Sequence, residues 1–125
     1  MYDGWEVARQ RRRMWEKAPR SYVSINKRGE IAMNAEAFRR IMRPASVTLL
    51  YDAKHRRIGV KFPVAIDSNF FPVRSYGRGR RMRIVRAARM FKQFGIKIDR
   101  TLIYKNAETQ NLDGHPMLVL DLDEG

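Results

Sequence analysis

The order of elements in residues 22 to 62 recurs in residues 73 to 122, and this recurrence constrains the fold more than any other feature of the chain. Val23 stands six residues before Gly29 as Val73 does before Gly79, and Arg28-Gly29 is matched by Arg78-Gly79. Phe38 in a short first helix falls opposite Phe91 in a second. Thr48-Leu49-Leu50-Tyr51 corresponds to Thr101-Leu102-Ile103-Tyr104, and the closing strands Ile58-Gly59-Val60 and Leu118-Val119-Leu120 align. The drifting offset between the copies is absorbed in loops, where insertions cost little. Neither copy is long enough to bury a satisfactory core alone. The expected fold is therefore α+β: two strand–turn–strand–helix–hairpin halves packed across a pseudo-twofold axis, with an N-terminal helix.

The local reading supports that order. Tyr22 to Ile25 alternates, Lys27-Arg28-Gly29 makes a basic turn, and Ile31 and Met33 alternate again before Asn34 caps a helix that Pro44 stops. Ser46 to Asp52 is a strand, Ala53-Lys54-His55 a turn, and Ile58, Val60 and Phe62 one face of the return strand. In the second half, Ile84, Ala87, Ala88, Met90, Phe91 and Phe94 recur at three and four residues. That spacing predicts an amphipathic helix ending at Gly95, with Arg83, Arg86, Arg89 and Lys92 on its outer side. The expected organisation is a basic helical arm over 1–21, a first repeat over 22–62, a proline-bracketed connector over 63–72, and a second repeat with an acidic tail over 73–125. Residues 22–125 form one compact domain.

Charge narrows the partners. The chain carries 26 Lys and Arg against 13 Asp and Glu, a net charge of +13. Between Arg74 and Arg100 stand ten basic residues and the single Asp99, so this segment alone holds +9. Such density repels itself unless an anion lies against it, and phosphate is the usual candidate. The plainer reading, a solvated basic face that keeps the protein soluble, stays open. The arm adds Arg11, Arg12 and Arg13, either docked through Trp15 or loose. After Lys105 there is no Lys or Arg and there are five acids, of which Asp121, Asp123 and Glu124 suggest a tail that shields the basic face.

Several chemistries find no residues. Without cysteine there is no disulfide framework and no thiolate. His55 and His115 fall in the two hairpin turns, but lack an obvious third metal ligand. No nucleophile elbow, Walker loop or zinc-protease helix occurs, and Gly77-x-Gly79 lacks the third glycine of a dinucleotide site. The expectation is no enzyme, no cofactor and no metal. No apolar run approaches membrane-spanning length and no signal-peptide pattern opens the chain. A cytoplasmic protein without a membrane partner is expected, nucleoid-associated if it binds DNA. Homo-oligomerisation is compatible with the sequence.

The run VSINKRGEIAMNAEAFRRIMRPASVTLLYDAKHRRIGVKF resembles the swapped-hairpin family of AbrB-type and MraZ-type DNA-binding regulators. Asn26-Lys27-Arg28-Gly29-Glu30-Ile31 is similar to the family's glycine turn, Arg78-Gly79-Arg80 is similar again, and MraZ-type members also carry two copies per chain. The resemblance implies DNA contacts from Lys27, Arg28, Arg78 and Arg80. Glu30 stands where the family usually has Arg. Taken with the charge, the expected function is non-enzymatic binding of nucleic acid, duplex DNA above all, by a regulator or architectural protein. Arg78, Arg80, Arg81 and Arg83 would meet phosphates, helped by Lys27, Arg28 and the arm arginines Arg11 to Arg13. The alternatives are single-stranded DNA or RNA stacked on Tyr22, Tyr51, Tyr76 and Tyr104, and a basic structural subunit of a larger assembly.

Overall fold

Alternating apolar residues set the architecture. Val23 and Ile25, Ile31 and Met33, Ile58 and Val60, and Leu118 and Leu120 are each two apart, and all eight are fully buried. Period-two burial is the signature of strands with one face on a core. The computed structural model describes residues 20–67 and 69–124 and contains nine strands. In chain order they are β1 (Tyr22–Ile25), β2 (Glu30–Met33), β3 (Ser46–Asp52), β4 (Arg57–Lys61), β5 (Phe70–Tyr76), β6 (Met82–Arg86), β7 (Leu102–Lys105), β8 (Glu108–Leu112) and β9 (His115–Asp121). All pair antiparallel in one sheet of order β7-β1-β2-β6-β5-β3-β4-β9-β8, curled into a half-barrel.

Two short helices line the inner face. In α1 (Ala35–Arg40), the Asn34 side chain accepts from the Ala37 amide at 2.9 Å and the Tyr22 amide at 3.0 Å, so one residue caps the helix and holds β1. Phe38 of α1 and Met90 and Phe91 of α2 (Ala88–Phe94) complete the core. Gly95 ends α2 in the left-handed conformation that favours glycine.

This architecture corrects the α+β expectation. The helices have only six and seven residues, and the halves do not close as separate strand–helix–hairpin units. The β1–β2 hairpin pairs outward with β7 from the later half, and β5 pairs with β3 from the earlier half. The segments aligned as equivalent closing strands are sheet neighbours: Ile58 lies opposite Leu120, Gly59 opposite Val119 and Val60 opposite Leu118. Ile84 does not start a helix either. It lies in β6, hydrogen-bonded on both sides by β2 and β5, and a ladder on each flank outweighs helix propensity. The predicted arm over 1–21 falls almost wholly outside the described residues.

Gly29 joins the first hairpin to α2. Its φ is +81°, its carbonyl accepts the Ala87 amide at 2.7 Å, and an added Cβ would sit 2.8 Å from the Ala88 Cα. A second tie holds the loop after β4. Lys61, 6% exposed, donates to Asp67 Oδ2 at 3.2 Å, and the same oxygen accepts from Thr48 Oγ1 at 2.8 Å and the Val64 amide at 3.0 Å.

Two outcomes follow from these ties. Gly29→Ala is expected to lower unfolding free energy by about 2 kcal/mol or more, through positive φ and backbone overlap together, measured by denaturant titration. The Val64 amide, with Thr48 and Lys61, holds the Asp67 carboxyl below its usual range. A depressed folded pKa gives stability that is present above the unfolded value near 3.9 and lost as pH falls through the folded value. Asp67→Asn should therefore lower Tm at neutral pH and flatten the loss of Tm with acid, read from melts between about pH 2 and 7.

Candidate nucleic-acid interface

Among the described residues, the sheet face opposite the helices is open over β1, β2, β6 and β5. Strand alternation places Tyr22, Ser24 and Asn26, Glu30 and Ala32, Met82, Ile84 and Arg86, and Arg74 and Tyr76 on that outer side, all of them half-buried or exposed. A groove of about 410 Å³ runs across it, lined at one end by Asn26, Arg28 and Glu30 and at the other by Arg74, Tyr76 and Met82. Ala32 and Ile84 line the middle, and Arg86 stands across from Glu30 at the first end.

The two basic turns mark the ends of this groove and do not converge on one point. Register places Glu30 opposite Arg86 and Met33 opposite Arg83. The β1–β2 turn therefore sits at the Arg86 end of β6 and the β5–β6 turn at the Met82 end. At about 3.4 Å per residue, roughly 10–15 Å of strand separates them.

The first turn is cross-linked by its own side chains. Asn26 Oδ1 accepts from the backbone amides of Arg28 and Glu30, each at 3.0 Å, and Asn26 Nδ2 donates to Glu30 Oε1 at 2.7 Å. Arg28 Nη2 reaches the same oxygen at 3.2 Å. Asn26's amide, with Arg28, holds the Glu30 carboxyl below its ordinary range despite partial desolvation. Arg28 is thus half-neutralised by Glu30, and Lys27 is exposed at the tip.

The second turn is a single 3₁₀ turn over Arg78–Arg80, with Gly77, Gly79 and Arg80 all at positive φ. Arg78, Arg80 and Arg81 are exposed and make no ion pair among the described residues. Arg83 differs. It points to the inner face with its guanidinium 5.2 Å from the Phe38 ring centre, and it donates to the carbonyls of Arg80 and Met82. That arrangement braces the turn from beneath. Arg11, Arg12 and Arg13 lie outside the described residues.

Arg74 and Arg86 are the groove residues that sequence reasoning left out. The helical reading put Arg86 on a helix, whereas the period-two series Met82, Ile84, Arg86 was the signal for an outward strand face. Of the four tyrosines considered for stacking, Tyr22 and Tyr76 lie on the outer face. Tyr104 is buried, its hydroxyl donating to the Asp121 carbonyl at 2.8 Å, and Tyr51 packs inward 5.3 Å from Phe94.

Negative charge collects on the other half of the sheet. Asp52 is held by Arg57 and His55, each at 2.8 Å, and Asp123 by Arg56 at 3.1 Å. Asp123 of the expected shielding tail is therefore engaged at the β3–β4 turn, not on the groove. His115 stacks on Phe62, ring centres 6.0 Å apart.

No family model, curated protein or solved structure matches the chain. Among the described residues no helix is long and apolar enough to cross a membrane.

The two kinds of turn arginine should separate on mutation. Arg83→Ala is expected to cost about 0.5–1 kcal/mol of stability, the range of a partly exposed cation–π contact. Arg81→Ala should stay within about 0.5 kcal/mol of the parent. Paired denaturant titrations compare them.

Proposed function

We propose that the protein binds duplex DNA without catalysis, laying the open face of β1, β2, β6 and β5 against it, as a regulator or architectural protein. One observation carries the reading. Arg74, Arg78, Arg80, Arg81 and Arg86 border one open face without an ion pair among the described residues, while Asp52, Asp67 and Asp123 on the other half of the sheet are each bound to a cation. Cations left unpaired along a groove attract a polyanion, and condensed counterions released from it favour the complex.

The single-stranded alternative is weaker on this face. Stacking platforms need successive exposed aromatics, and two of the four candidate tyrosines are turned inward. A structural subunit would need no affinity for free nucleic acid.

The test is titration of duplex DNA, single-stranded DNA and RNA at two salt concentrations. With six to ten phosphate contacts, duplex affinity should fall by about 10³ to 10⁵ between roughly 50 and 200 mM salt. Combining Arg74→Ala, Arg78→Ala and Arg81→Ala should flatten the salt slope by about one per arginine. Tighter binding of single strands would move the reading to the alternative. A defined assembly with no affinity for any of the three would end it.

A further inference from the structure

A carboxylate at one end of a phosphate-seeking face needs a reason, since it repels the backbone that the arginines attract. Glu30 supplies such a group. Register places it directly opposite Arg86 across the β2–β6 pair, both on the outer side, where Cα atoms stand about 4.5–5.5 Å apart. Yet the two form no ion pair. Asn26 and Arg28 both donate to Glu30 Oε1, drawing the carboxylate toward its own turn. Oε2 takes no hydrogen bond among the described residues, and the exposed Arg86 guanidinium attracts the Glu30 carboxylate from a distance without closing an ion pair on it. An acceptor and a donor stand side by side, each with hydrogen-bonding capacity left over among the described residues.

We infer that Glu30 and Arg86 read the major-groove edge of a G·C base pair, the free carboxylate oxygen accepting from the cytosine N4 amino group and the guanidinium donating to guanine O6 and N7. The inference rests on the duplex-binding reading above and names what the face selects.

The chemistry is one of exclusion as much as fit. An ionised carboxylate only accepts, so it is repelled by guanine O6 and N7, thymine O4 and phosphate, and is satisfied only by an amino group. A guanidinium only donates, and its fork matches the adjacent acceptors of guanine. A·T also offers an amino group, but its two acceptors flank that group and cannot take the fork together. Ala32 and Ile84, opposite each other one rung along, add no competing polar group. The major groove admits a two-stranded β-ribbon, and β2 with β6 is such a ribbon, the turns at its ends being placed for the flanking phosphates.

The experiment uses the full chain and duplexes of equal length by fluorescence anisotropy, with circular dichroism and melts to confirm that each variant folds. The expected result is binding on the order of ten-fold tighter to a G·C-containing site than to its A·T counterpart. Inosine in place of guanine leaves the major-groove edge unchanged and should keep the preference, whereas 7-deazaguanine, lacking N7, should lose it. Glu30→Gln and Arg86→Lys should each erode the preference, while Arg74→Ala should weaken binding to both duplexes alike. Equal binding of G·C and A·T sites would overturn the inference and leave duplex binding standing. So would a preference lost on inosine substitution, which reports the minor groove. Glu30→Gln tightening every duplex equally, with preference intact, would also overturn it and leave Glu30 as a clasp for the turn. No binding to any duplex would remove the function itself and this inference with it.

Discussion

The contact on which the rest depends is the seat of Gly29 against the start of α2. The first hairpin can lie beside β6 only if its turn passes within van der Waals reach of the Ala88 backbone, and only a residue without Cβ fits there. The Gly29 carbonyl then satisfies the Ala87 amide at the head of the helix, where helices otherwise leave amides unpaired. That single point fixes the β2–β6 register, and with it which side chains share the outer face. Gly79, in the corresponding turn, meets no backbone at all. The two glycine turns are alike in sequence and different in duty: one is an internal joint, the other a free projection.

The sheet also separates charge. Its half built from β3, β4, β8 and β9 spends its cations on its own carboxylates, through Arg57 with Asp52, Lys61 with Asp67 and Arg56 with Asp123. The other half leaves Arg74, Arg78, Arg80, Arg81 and Arg86 exposed and without an ion pair among the described residues. The surplus positive charge seen in the composition is thus uneven across the described residues.

Much of the local structure was legible. Asn34 as a helix cap, the strand Ser46 to Asp52 and the turn after it, and Gly95 as a helix stop all rest on interactions within a few residues, which composition and spacing record. What was not legible depends on partners far along the chain. The series from Ile84 to Phe94 satisfies helical spacing, and only pairing with β2 and β5 makes its first part a strand. The edge strand β8, Glu108-Thr109-Gln110-Asn111-Leu112, offers one apolar residue and so almost no pattern. The site divides the same way. Its turns were readable from glycine and arginine, but Arg74, Arg86 and Glu30 share a face only through non-local register, and Arg83 was turned inward by the same parity that turned Arg86 out.

The interleaving of early and late strands has a consequence for how the molecule is made. Ser21 hydrogen-bonds Asn106, 85 positions away, and β1 cannot complete its ladder until β7 exists. Emerging from a ribosome, the first hairpin must wait with an unpaired edge while most of the chain is still being synthesised. Contacts this distant carry a high loop-closure cost and slow the search for the native state. Exposed edges are also where neighbouring chains add strands. Lys27 and Arg28 put like charge at the tip of that hairpin, and like charge beside an exposed edge disfavours such addition.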